Sequence, residues 1–163
     1  MIDENSEVFV FDTGKSYFKA FELPEYTALY TITIKSYMLG GHIKSAYIFR
    51  PAVMFLDERF SVIRFIDNGV FQFKKTAPFE TSGLGAMFEA EIPVAQENAH
   101  ERYMIILTTD KLLGEKTAKT VQVFVPFIFP GVVGILPTGK EETVYIPYSP
   151  IGKFKIVIRK MGN

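Results

Sequence analysis

Apolar and polar residues alternate with a period of two along much of the chain, and that period predicts strands. From Leu29 to Leu39, Tyr30, Ile32 and Ile34 fall on one face, and Thr31, Thr33 and Lys35 on the other. Ala86, Phe88, Ala90 and Ile92 alternate with Glu89 and Glu91, as half-buried strands do. Val121, Val123 and Val125 alternate with Gln122 and Phe124, and Phe154, Ile156 and Ile158 share one face of Lys153 to Arg159. Val8 to Phe11 is short and apolar throughout, which suits an edge or closing strand. Tyr103 to Leu107 lacks polar alternation and reads as a central strand covered on both faces. Further strands are expected at Ser16–Leu23, Ala46–Phe49, Val53–Leu56 and Thr143–Tyr148. Turns fall at Asp12–Lys15, Gly40–His42 and the charged corner Asp57-Glu58-Arg59. Pro93 to His100 has room for one helical turn. Thr109 or Asp110 caps a short helix through Leu113, because either side chain accepts from free backbone donors.

Asp67-Asn68-Gly69 between two apolar runs is the strongest local turn signal in the chain. It predicts a hairpin over Arg64–Lys74. A three-residue turn with Gly69 in the left-handed conformation pairs Phe65 with Phe71 and Ile63 with Phe73. That register gathers four large apolar side chains on one face and leaves Arg64, Gln72 and Lys74 on the other. The polar stretch after Lys75, with Pro78, Gly83 and Gly85, reads as loop.

Pro126–Glu142 breaks the pattern. It is strongly apolar (Phe127, Ile128, Phe129, Val132, Val133, Ile135, Leu136), yet prolines and glycines punctuate it, so no long strand is expected there. Exposed, this stretch marks a contact surface. Tucked across an open end of a sandwich, it is core.

About nine to eleven short strands with few helices, separated by turn residues, predict an all-β fold. The expected architecture is an antiparallel β-sandwich, the jelly roll being one of its forms, with one or two short helices. The length of 163 residues corresponds to a single domain over residues 1–163. Sixteen phenylalanines supply a core without staples, and no cysteine is present to form a disulfide or thiolate site. Lysine plus arginine and aspartate plus glutamate are equal at 18 each, which argues against nucleic acid or an anionic membrane as the main partner. No apolar run reaches the ~18 residues of a membrane helix. The acidic start Met1–Glu7 lacks the features of a signal peptide. Two readings follow: a cytosolic protein, or a domain cut from a longer precursor.

Candidate chemistry is sparse. His42 and His100 stand far apart with no third partner at ligand spacing, so no metal site, cofactor or catalytic residue is assigned. Asp57-Glu58 and Glu141-Glu142 offer carboxylates for glycoside hydrolysis, which needs two facing each other across a cleft. Neighbours on a strand point to opposite faces, which weakens both pairs. Gly131-Val132-Val133-Gly134 and Gly139-Lys140 lack the spacing of a phosphate loop. Sugars are held by aromatic faces with carboxylates and amides. Trp is absent, but Tyr17, Tyr26, Tyr30, Tyr37 and Tyr47 fall in the first third. Tyr26 and Tyr37 are the candidate glycan-binding residues, and Phe127, Phe129 and Leu136 the candidate partner surface.

Four stretches together resemble the maltose operon periplasmic protein family, MalM. They are Gly14-Lys15-Ser16-Tyr17-Phe18-Lys19-Ala20-Phe21-Glu22-Leu23-Pro24, Phe49-Arg50-Pro51-Ala52-Val53-Met54-Phe55-Leu56-Asp57, Glu101-Arg102-Tyr103 to Thr108-Thr109, and Ser149-Pro150-Ile151-Gly152-Lys153. They resemble that family's C-terminal portion. The resemblance implies a fragment of a longer secreted precursor, a periplasmic location and an association with maltose or maltodextrin uptake, without catalytic residues. The implied role is a non-enzymatic accessory protein acting through contacts with an envelope protein or weak binding of maltodextrin or another glycan. The rival readings are a glycan-active enzyme on a jelly-roll scaffold and a structural envelope assembly protein.

Overall fold

The computed structural model of the chain describes residues 1–67, 69–76, 84–129 and 132–160. Asn68 of the expected turn, Pro78 and Gly83 of the polar stretch, and Gly131 of the glycine run lie outside the described residues.

The fold is all-β, a curled sandwich of antiparallel sheets. One sheet runs β3 (Lys19–Glu22), β10 (Tyr103–Leu107), β6 (Ala52–Leu56), β7 (Val62–Ile66). The larger sheet runs β11 (Lys116–Phe129), β12 (Val132–Ser149), β5 (Tyr47–Phe49), β4 (Tyr30–Leu39), β9 (Ala86–Val94), β8 (Gln72–Lys75), with β13 (Lys153–Lys160) also paired to β4. The core lies between the two. Ile32 and Ile34 of β4, Ile92 of β9, Met104 and Ile106 of β10 and Phe55 of β6 all lose their water there, which is the main drive for closing the sheets. A hairpin of β1 (Val8–Phe11) and β2 (Gly14–Tyr17) forms a separate sheet. Phe11 and Phe18 pack with Met54 and Ile105 around a second, smaller cluster of Ala52, Leu107 and Leu112.

The expected helix is present as α1 (Asp110–Leu113), with the Leu112 N–H donating to Thr109 Oγ1 at 3.2 Å. Thr109→Ala removes that cap, and a loss of about 1 kcal/mol is expected by urea denaturation. Pro93–His100 holds a single 3-10 turn, Gln96–Asn98, and a second lies at Ile43–Ser45.

Two expectations are corrected. Gly69 is left-handed, at φ +79, but the hairpin it was expected to close is not formed. β7 pairs with β6 and β8 pairs with β9, so the chain crosses from one sheet to the other between Ile66 and Gln72. The facing of β7 is also reversed, whereas Phe71 and Phe73 meet the core and Gln72 and Lys74 stay exposed as expected. Arg64 turns inward, its guanidinium 4.3 Å from the centre of the Phe55 ring, with Nη2 donating to Glu101 Oε2 at 2.8 Å. Ile63 and Phe65 stay accessible. A buried carboxylate 37 residues away draws Arg64 in, and local apolar counting contains no such term.

The second correction concerns Pro126–Glu142. It is not irregular: β11 and β12 form a long two-stranded ribbon through it, paired from Phe124↔Pro137 to Phe129↔Val132. Proline is excluded from central strands because it cannot donate to a ladder, but it is tolerated where its nitrogen faces away from the partner. The pairs Phe124↔Pro137 and Pro126↔Ile135 are two residues apart and share one orientation. Both prolines therefore point their nitrogens outward, one on each edge. The ribbon bends where Val123 faces Thr138-Gly139-Lys140, with Gly139 at φ +73 and Thr138 Oγ1 donating to the Val123 carbonyl at 2.8 Å.

Candidate functional site

Two accessible features stand out. The first is the β6–β7 turn. Asp57 Oδ1 accepts from the Arg59 and Ser61 N–H groups, both at 2.8 Å, and the Phe60 N–H donates to the Asp57 carbonyl at 3.1 Å. These bonds hold Phe60 at φ +61. For a bulky residue without special need this conformation is strained by about 1–2 kcal/mol. Phe60 nevertheless stays 66 % exposed. One face of its ring stacks on Tyr103, with centroids 4.8 Å apart and planes 21° apart. A polar recess of about 250 Å³ adjoins the turn, lined by Asp57, Glu58, Arg59, Ala99 and His100. An apolar groove of about 630 Å³ also reaches the turn from the β1–β2 hairpin, lined by Phe9, Phe11, Met54, Phe65 and Ile105 among others. Phe60 also lines this groove.

Below the turn, Glu101 anchors the local electrostatics. Its side chain is 1 % exposed and takes an ionic contact from Arg64 Nε at 2.7 Å, besides the Nη2 bond. Asn98 Nδ2 donates to Glu101 Oε1 at 3.2 Å. Burial pushes the Glu101 carboxyl above its ordinary 4.5, and Arg64 pulls it back. Asn98 and Glu101 flank the Ala99-His100 wall of the recess, so the pair fixes that wall.

The second feature is the ribbon beyond its bend. On one face stand Phe124, Pro126, Ile128, Val133, Ile135 and Pro137. On the other stand Val125, Phe127, Phe129, Val132, Gly134 and Leu136. Both faces are thus apolar, and most of these side chains are exposed. Phe127 lies over Gly134, where a Cβ would come within 2.5 Å of its ring. Phe127 and Phe129 rings are 5.7 Å apart.

The expected residues fall unequally. Phe129 and Leu136 are exposed on the ribbon and Phe127 is half-buried there. Tyr37 is 3 % exposed, and its ring offers no free face to a ligand. Tyr26 is half-buried against the core beside Tyr30, with centroids 6.5 Å apart. The two do not form a common site. His42 and His100 are exposed loop residues. Among the described residues no three His, Asp or Glu side chains gather as metal ligands. Arg50 is buried between the Phe71 and Phe88 rings, 5.2 and 4.2 Å from their centroids, and burial lowers its pKa. It acts as a core cation rather than a group aimed into either recess. Sequence reasoning missed Phe60. Its only signal is an aromatic residue directly after the charged corner Asp57-Glu58-Arg59.

The family described as maltose operon periplasmic protein precursor (MalM) matches residues 13–126. The chain belongs to the MalM family. It is accordingly a periplasmic protein associated with the maltose operon. The MalM match takes in the Phe60 turn, Glu101 and Arg64, and ends at Pro126, ahead of Phe127, Phe129 and Leu136. Comparisons with curated proteins and with solved structures gave no match.

Proposed function

We propose that this MalM protein is a non-enzymatic accessory of maltose and maltodextrin uptake that holds a glucan chain weakly at the Phe60 turn. The observation that carries the reading is Phe60 itself, kept in a left-handed conformation with one ring face on Tyr103 and the ring largely exposed. Strain of this kind persists only where surrounding bonds impose it, and it concentrates at ligand sites. A sugar ring has an apolar C–H face and a polar rim. The open ring of Phe60 suits the first. Glu58, Arg59 and His100 supply acceptors and donors for the second. With no Trp in the chain, the platform is the open face of Phe60 backed by Tyr103, which fits weak rather than tight binding.

The test is a thermal shift with maltose, maltotriose and longer maltodextrins, with unrelated glycans as controls. Binding to the folded state raises stability by about 2.7 kcal/mol at a hundredfold excess over Kd. The shift is expected to grow with chain length and to vanish in Phe60→Gly. That substitution should leave the fold near wild-type stability. Glycine removes the ~1–2 kcal/mol of backbone strain, which offsets the ~0.5–1.5 kcal/mol of ring stacking lost with Tyr103. An equal shift in wild type and Phe60→Gly, or none in wild type at millimolar sugar, refutes the site.

A further inference from the structure

The ribbon tip is independent of the Phe60 turn and calls for its own explanation. We infer that the tip, Phe127-Ile128-Phe129 with Val132-Val133, inserts into a lipid surface. No charged side chain stands between Lys119 and Lys140. Beyond the bend every register pair on both faces is apolar. A protein partner docking on one face leaves the other in water, whereas hydrocarbon surrounds both.

A second copy of the ribbon is too small a cover. Six residues at ~3.3 Å each give an arm ~20 Å long, and two strands with their side chains are ~10 Å wide. Two arms stacked face to face then bury roughly 400 Å² in total, against the ~1,200 Å² of a stable specific interface. Strand addition at the edges is opposed by Pro126 and Pro137, which remove a donor from each edge, the usual protection against such pairing. The same two prolines lower the cost of bringing the edges near lipid, where each unsatisfied N–H is expensive. The remaining edge groups limit the depth. The three residues of each strand nearest the tip reach ~10 Å, which matches seating at the headgroup–acyl boundary, where water still reaches the edges. No helix among the described residues is long and apolar enough to cross a membrane. The charge balance of the chain assigns the attraction to apolar burial rather than to anionic headgroups.

The chain has no Trp, so Ile128→Trp places a single reporter on an exposed tip position. With neutral phosphatidylcholine vesicles its emission should shift to shorter wavelength, brominated acyl chains should quench it, and the protein should sediment with the vesicles. In Ile128→Asp/Val133→Asp, both exposed changes that leave the body of the fold intact, the bound fraction should fall by about tenfold or more. Unchanged emission at saturating lipid overturns the inference. So does binding confined to phosphatidylglycerol vesicles and lost in high salt, or cosedimentation that survives the double substitution. A reporter already blue-shifted without lipid, in protein that sediments as an oligomer, overturns it in favour of a second copy. A reporter that responds only to a purified envelope protein overturns it in favour of that protein.

Discussion

Arg64→Met is expected to destabilise the protein by about 3–5 kcal/mol near neutral pH, with much of the loss recovered as pH is lowered to about 5. A loss of that size consumes a large share of the ~5–15 kcal/mol that a domain has in total. The reason lies with Glu101, whose side chain is 1 % exposed and whose close cationic partner is Arg64. Burial already raises the Glu101 pKa above 4.5, and Arg64 opposes that rise through charge and a hydrogen bond. Without the guanidinium, burial acts with only the Asn98 hydrogen bond against it, and the folded pKa moves further up. A carboxyl with a raised folded pKa contributes stability that is fully present below its unfolded pKa and is lost as pH rises through the folded one. The loss in Arg64→Met therefore opens just above 4.5 and extends to higher pH than in wild type. Urea denaturation at about pH 5 and about pH 8 measures it. The double change Arg64→Met/Glu101→Leu should lie nearer wild type than either single change, because it leaves no buried charge alone. A single variant whose stability does not depend on pH in this range shows that Glu101 does not stay buried.

Gly152→Ala is expected to cost about 3 kcal/mol, at the upper end for overpacking, and to lower the melting temperature by roughly 6–12 °C. A Cβ at Gly152 would sit 2.5 Å from Phe49 Cβ and 3.3 Å from its backbone nitrogen. Phe49 is fully buried and stacks on Phe154 at 6.0 Å between centroids. The clash is with the root of that side chain, so rotating the ring cannot relieve it. Movement of Gly152 also strains its paired bonds with Ile2, both 2.9 Å, and Ile2 is itself a core residue. The comparison is a thermal melt beside wild type, and a fall of under ~1 kcal/mol would show that this corner has slack.

The legible parts of the fold were those fixed by neighbours in sequence. Alternation alone located β4 and β9, whose faces are set by which side meets the core. The Thr109 cap is likewise local. The 64–74 segment was misread because its turn chemistry is correct while its pairing is decided elsewhere. Phe71 is drawn under Arg50 in one sheet and Arg64 under Glu101 in the other, and no local register count holds either interaction. The ribbon was misread because prolines were weighed as in a central strand, whereas both strands of a two-stranded ribbon are edges. Of the candidate residues, Tyr37 was chosen for its type, but β4 is covered on both faces and takes it into the interior. Phe60 was invisible because nothing in its residue type announces a positive φ.

The pairing of β4 has a consequence for how the protein is made and moved. Tyr30–Tyr37 is hydrogen-bonded on one edge to β9 and on the other, over eight residues, to β13. The strand at the middle of the larger sheet thus waits for a partner more than a hundred residues later in synthesis. Contacts of such long separation form slowly, because loop closure precedes any gain from them. A nascent chain cannot complete its central sheet until β13 has emerged. For a protein of the periplasm, a central sheet that closes only with its last strand is compatible with export ahead of folding.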